Sequence, residues 1–304
     1  MPTITNHLLT TAASLTSKTW PVAARLFPET LEIDDNQSFW ISQTPNYLPC
    51  LPLSGNTTAD LAIIGGGFTG VSTAYHFSQR YPDKRVVILE AKTLANGASG
   101  RNGGLMLNWL ATSGDYGDEL TARIYQTTLG GIQTIEAIIE RHKLPVTYRK
   151  DGTITAYTDA KRAEDAHAEV EYYQSLGIGE QFWDSAQLAK KLPLRGAHGA
   201  VFDPNSGQIN GAQLVRGLRP ILIEQGVQIY ENTPVLSIRE GSEITLTTLN
   251  GEVRAKAIVI ATNGYTGKLG YFREALFPLH SHVYATAALT PEQRQQLGWG
   301  DLAG

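Results

Sequence analysis

Gly65-Gly-Gly67-Phe68-Thr69-Gly70 carries the clearest chemical content in this sequence. It follows the apolar run Asp60–Ile64 and precedes Val71–Arg80, whose apolar residues fall at helical spacing. Between a strand and a helix, Gly65 makes the tight turn and Gly67 lets the backbone approach a pyrophosphate. Gly70 allows close helix–strand packing. The free N–H groups at the helix start then face the phosphates. Glu90 ends a second apolar run, Arg85–Glu90, twenty residues after Gly70. A carboxylate there accepts from a ribose hydroxyl and would repel the 2′-phosphate of NADP. Glycines alone also make plain structural turns, but strand, helix and spaced acid together read as a dinucleotide site.

A second glycine-rich stretch starts soon after Glu90 and Ala91. Gly97-Ala98-Ser99-Gly100-Arg101-Asn102-Gly103-Gly104 has four glycines in eight residues. Such a segment permits positive φ and close passage beside a flat or charged ligand. Ser99 and Arg101 are candidates for phosphate contacts, and Asn102 with the Gly103 and Gly104 amides for the ring system. The plain alternative is a surface loop. Leu105 and Met106 follow, as ring-face residues or as ordinary core.

These motifs need elements to hold them. Strand, helix and strand over residues 60–90 make one βαβ unit. Asp118–His142 reads as a helix, with Gly130-Gly131 inviting a break. Gly152–Tyr157 alternates as a strand; Ala160–Leu176, Ser185–Leu192 and Ala212–Gln225 read as helices. Val227–Tyr230, Val235–Ile238 and Ile244–Thr248 read as a meander with a turn at Asn250-Gly251. Ala257–Ala261 is a further buried strand. Residues 29–58 are proline-rich and read as an extended lead-in. His282–Leu289 reads as a strand, and His280, His282 and Tyr284 alternate along one face, either bordering a cavity or as ordinary strand decoration. Pro291–Leu297 is a short helix.

The bulk numbers exclude several classes. The chain has 304 residues, enough for about two domains, with 42% apolar and 18% charged residues and a net charge of −4. No Lys/Arg cluster offers a footprint for nucleic acid, and no apolar run is long enough to span a membrane. One cysteine, Cys50, excludes an internal disulfide and fits a reducing compartment. No metal-binding spacing occurs. The first 28 residues lack Asp and Glu, a feature of some transit sequences, but Lys18 and Arg25 are their only strong cations. A cytoplasmic location is the expectation.

The fingerprint, Glu90 and the Gly-Ala-Ser-Gly-Arg-Asn-Gly-Gly stretch resemble the FAD-dependent oxidoreductases related to D-amino-acid oxidase. In form they are most similar to the gamma-glutamylputrescine oxidoreductase-like members. Pro234-Val235, Ala261-Thr262-Asn-Gly264 and Asp203–Ile209 match as well, so the resemblance runs from about Phe39 to Leu289. It implies an α/β fold: a Rossmann-like FAD/NAD(P)-binding domain with a second, mixed-sheet substrate domain. The expected division is an N-terminal extension (1–55), an FAD-binding domain (56–147 and 208–268) and a partial substrate domain (148–207 and 269–304).

The resemblance further implies FAD as cofactor, an amine or amino acid as substrate, and oxygen or another electron acceptor. Hydride would pass from the carbon beside nitrogen to the flavin, giving an imine. Val235 would lie on the adenine side, with Thr262 and Gly264 beside the cofactor. Because Arg101 and Asn102 stand in the glycine loop, and Cys50 precedes the first strand, a dissociable FAD is expected. No catalytic residue is identified. Family members continue past the position of Gly304, so the chain is expected to be the front two-thirds of one. The alternatives are a truncated or non-catalytic FAD-binding protein and, less well matched, a NAD-dependent dehydrogenase.

Overall fold

The computed structural model describes residues 38–108, 116–279, 283 and 286–298. A single helical turn, α1 (Phe39–Ser42), precedes strand β1 (Thr57–Ile64), helix α2 (Phe68–Arg80) and strand β2 (Val86–Leu89). Strand β3 (Leu105–Met106) and the long helix α3 (Gly117–His142) come next. They lead to β4 (Tyr148–Arg149), β5 (Thr153–Tyr157), α4 (Ala160–Ser175), β6 (Gln181–Asp184), α5 (Ser185–Lys191), β7 (Gly199–Asp203) and β8 (Gly207–Ile209). Helix α6 (Gly211–Glu224) is followed by β9 (Gln228–Tyr230), β10 (Ser237–Arg239), β11 (Ile244–Thr247), β12 (Glu252–Ile260) and the short α7 (Pro291–Gln296).

The six-stranded sheet has the order β10-β11-β12-β1-β2-β9. β1 lies at its centre, parallel to both β2 and β12, and its last four residues alternate between two cores. Leu61 and Ile63 face helices α2 and α6, where Val71, Ala74, Val215 and Leu222 are buried. Ala62 and Ile64 face the other side with Val87, Leu246 and Val253. Both faces are covered, which is why these strands read as continuous apolar runs. The fold is α/β with a Rossmann-like sheet.

Four expectations are corrected. Val227–Tyr230 does not join the meander; as β9 it pairs parallel with β2 at the opposite edge. Helix α6 precedes it, and a strand–helix–strand crossover produces a parallel neighbour where a tight turn would produce an antiparallel one. Helix α3 runs unbroken through Gly130-Gly131, because a glycine inside a helix costs only about 1 kcal/mol. The lead-in holds one helical turn, α1, whose start is capped by Ser38 Oγ accepting from the Ile41 amide. Finally, Val283 and residues 286–289 form no strand, since no neighbouring strand among the described residues satisfies their backbone groups. His280, His282 and Tyr284 lie outside the described residues.

Two small antiparallel sheets complete the architecture. One has the order β3-β8-β4 and joins strands from both expected domains; the other is β5-β7-β6, covered by α4. Beside the latter, burial together with the negative Asp203 and Glu169 pushes the Glu180 carboxyl up to about 7. An unfolded glutamate titrates near ~4.3. Between those values the folded chain holds a proton that the unfolded chain releases. This contribution to stability is therefore complete below pH ~4.3 and is lost as pH rises through 7. Discounted for partial exposure, Glu180→Gln is expected to stabilise the protein by about 1–2 kcal/mol at pH 8 and hardly at all at pH 5. Urea denaturation at both pH values checks this, and equal effects at the two would contradict it.

Candidate functional site

Parallel pairing brings the motifs together. Ile64 sits opposite Leu89 on one side and Ile260 on the other, so Gly65, Glu90 and Ala261 emerge at one edge of the sheet. Ligands of open α/β sheets bind at this carboxyl edge. Gly65 N donates to Leu89 O at 2.8 Å, and Ala261 N to Ile64 O at 2.8 Å. Gly65 has φ +110°, in the left-handed region, and a Cβ there would stand 2.6 Å from the Ala261 carbonyl oxygen. Gly70, one turn into α2, lies directly on the Gly65 carbonyl, with no room for a side chain.

Glu90 is placed by its neighbours. One carboxylate oxygen accepts from Gly66 N at 2.7 Å and the other from Lys92 N at 2.9 Å. A carboxylate offers about four lone-pair sites, so two amides leave capacity for ligand hydroxyls. Burial pushes its pKa up and Glu231 adds to the rise; the two amide bonds oppose it. Glu90 N donates to Tyr230 O and Glu90 O accepts from Thr233 N, both at 2.9 Å. Residues 230–233 are thereby held beside Glu90, and the half-buried Val235 follows two residues later. Ala91 is exposed.

The second glycine loop docks on the first. Its short 3-10 turn, Ala98–Gly100, presents Ser99, whose Oγ accepts from the Phe68 amide at 2.8 Å. A Cβ on Gly67 would stand 2.7 Å from that oxygen. Gly67 begins α2 with no side-chain cap of its own. Arg101 Nε donates to Asn96 O at 2.7 Å. Asn102 braces its own loop: Nδ2 donates to Ala98 O (3.1 Å) and Ser99 O (3.0 Å), while Oδ1 accepts from Gly104 N (2.8 Å). Phe68, Thr69, Ala98, Gly103 and Leu105 are exposed, whereas Gly70, Gly100 and Gly104 are buried. Met106 belongs to the core. Beyond β12, Thr262 Oγ1 shares a hydrogen bond with Thr266 Oγ1 at 2.9 Å, and Gly264 is exposed in the 3-10 segment Asn263–Leu269.

A dinucleotide fits these residues. The start of α2 offers backbone donors and no acidic side chain, the electrostatic setting a pyrophosphate needs. The absent Cβ atoms of Gly65 and Gly67 let Ala261 and Ser99 close against the turn, and the exposed Phe68 and Leu105 add apolar surface. Among the described residues no cluster of His, Cys, Asp or Glu could hold a metal, and no helix is long and apolar enough to cross a membrane.

Two participants escaped sequence reasoning. Trp40 donates its indole N–H to Asn102 O at 2.7 Å. Glu231, fully buried, accepts from the Tyr47 hydroxyl, Cys50 N and Leu94 N. The only advance sign was an acidic residue directly after the apolar run Val227–Tyr230.

Comparison with known proteins gives the family. The chain is 28% identical over 252 residues to the probable oxidoreductase OrdL of Haemophilus influenzae, covering 79% of this chain and 58% of that protein. It is 28% identical over 240 residues to gamma-glutamylputrescine oxidoreductase of Escherichia coli, covering 77% and 56%. It thus spans somewhat over half the length of these relatives. Among solved structures, glycine oxidase from Geobacillus kaustophilus superposes with a TM-score of 0.59 at 26% identity, covering 70% of this chain and 57% of that one. Residues 60–302 match the FAD dependent oxidoreductase family, and the chain belongs to that family.

Proposed function

We propose that this chain holds FAD non-covalently along the carboxyl edge of the six-stranded sheet, within a protein that oxidises the C–N bond of an amine or amino acid. The observation that carries this reading is the Ser99–Phe68 hydrogen bond. It ties the second glycine loop to the first turn of α2, making one continuous cradle. Backbone at Gly65, Gly67, Phe68, Thr69 and Gly70 receives the pyrophosphate. Glu90 and Ala91 lie at the ribose, and Val235 lies beside the adenine. Residues Ala98 to Leu105, including Ser99, Gly100, Arg101, Asn102, Gly103 and Gly104, run toward the ring. Thr262 and Gly264 border it from β12. On this reading residues 56–147 and 208–268 form the FAD-binding domain. Residues 148–207 and those from 269 onward belong to the substrate domain.

Bound there, FAD would supply the redox chemistry, as acceptor for the hydride on the carbon next to nitrogen, with oxygen or another acceptor as the final oxidant. The chain's own contribution is position and electrostatics. The positive end of α2 balances the phosphates, and the carboxylate of Glu90 selects a free ribose. The names of the relatives, one an amine oxidoreductase and one a glycine oxidase, support the substrate class. A single cysteine supports a cytoplasmic setting.

Anaerobic titration of the FAD-loaded protein with amines and amino acids tests the reading. The visible flavin band is expected to bleach with at least one of them. A band that dithionite bleaches but no amine or amino acid does would overturn the substrate class.

A further inference from the structure

Residues 38–53 form a strap laid across the glycine loop before the chain enters β1. Its first residues grip the loop at alternate positions. Ser38 Oγ donates to Gly100 O, and Trp40 Nε1 donates to Asn102 O at 2.7 Å. The Trp40 ring also fills the space where a Cβ on Gly104 would sit, and Gly104 has φ +72°. The Ile41 side chain lies against Gly100 in the same way, 3.0 Å from where its Cβ would be.

The strap is itself anchored. Asn210, which caps α6, donates from Nδ2 to Gln43 Oε1 at 2.8 Å. The Tyr47 hydroxyl donates to the buried Glu231 carboxylate at 2.8 Å, with the Arg216 and Arg219 guanidinium groups 4.2 and 4.6 Å from its ring centre. Cys50 N adds a bond to Glu231 at 2.6 Å. The indole therefore reaches the loop from a fixed base.

A trans peptide carries its C=O and N–H on opposite sides. With the Asn102 carbonyl turned onto the strap, the N–H of Gly103 in the same peptide points away from it. Gly103 is exposed, and a Cβ there would meet nothing within 4 Å. We propose that Trp40 is a positioning residue: by holding the Asn102 carbonyl it aims the Gly103 amide at the bound cofactor. This rests on the FAD reading above.

Trp40→Phe removes the donor together with the outer part of the ring that lies against Gly104. A benzothiophene in place of the Trp40 indole removes only the N–H and serves if the phenylalanine variant fails to fold. Two measurements are made: amide hydrogen exchange of residues 97–104 in the FAD-free protein, and FAD binding with its visible spectrum. Faster exchange at Gly104, whose amide is bonded to Asn102 Oδ1, an FAD affinity about tenfold weaker and displaced flavin bands are expected, with the FAD-free protein losing no more than about 1 kcal/mol of stability. Wild-type exchange with wild-type affinity and spectrum would overturn the proposal. So would faster exchange with unaltered affinity and spectrum, which leaves the strap a purely structural tie. A wild-type chain that takes up no FAD would overturn the cofactor reading and this inference with it, recognisable because the exchange difference would persist.

Discussion

Replacing Gly70 by alanine is expected to destabilise the protein by about 2–3 kcal/mol and to weaken FAD binding at least a hundredfold. The added Cβ would collide with the Gly65 carbonyl, 3.1 Å from its carbon and 3.3 Å from Ile63 Cγ2. Overpacking a buried contact typically costs about 1–3 kcal/mol. Here neither side yields cheaply, because the obstructing atoms are backbone in the turn that joins β1 to α2. Relief requires α2 to move off the sheet, which withdraws its first amides from the phosphates. Gly97→Ala is the control: its φ is −76° and its new Cβ would meet nothing within 4 Å, so it should fold like the parent. Thermal melts and FAD titrations of both variants check this. A Gly70→Ala protein with parental stability would refute the packing argument.

Glu231→Ala is expected to cost about 4 kcal/mol. The carboxylate is fully buried and accepts from the Tyr47 hydroxyl (2.8 and 2.9 Å), Cys50 N (2.6 Å) and Leu94 N (2.6 Å). Hydrogen bonds to a charged group are worth about 1.5–3 kcal/mol each, and a stranded buried donor costs about 1–3. Alanine strands two amides and a phenol together. Because a domain is stable by only about 5–15 kcal/mol, much of the fold's margin would go. Tyr47→Phe removes one donor and leaves the two amides paired, so it should cost about 1 kcal/mol. Urea denaturation of both variants measures the contrast, and a Glu231→Ala loss below 1 kcal/mol would contradict the network's role. Burial with the negative Glu231 as neighbour also raises the Tyr47 hydroxyl well above its ordinary range, so it remains a donor at any physiological pH.

The cradle was legible in the sequence because its geometry demands residue types that little else demands. Gly65 must take positive φ, Gly70 must have no side chain, and Glu90 must end the strand beside them. β1, α2 and β2 were legible for a related reason, since buried parallel strands and an amphipathic helix leave clear patterns. The strap was not. Trp40 meets Asn102 across 62 positions, and Tyr47 meets Glu231 across 184; contacts so distant leave no period to read. Val227–Tyr230 was legible as a strand but not in its partner, because its neighbours in sequence, β10 and β11, are not its neighbours in the sheet. Strands β4, β6 and β7 escaped because two to five residues of mixed character, such as Gln181–Asp184, carry too little alternation. Asn102 was legible as part of the loop, but only the structure shows that its side chain is committed to bracing it.

The most direct test of the central claim is titration of the purified chain with FAD, followed by absorption near the flavin bands and by acid precipitation. One FAD per chain, with a red-shifted structured band and all flavin released into the acid supernatant, is the result expected of a non-covalent site at the carboxyl edge of the sheet. A folded chain whose spectrum and melting temperature are unchanged by FAD would contradict it.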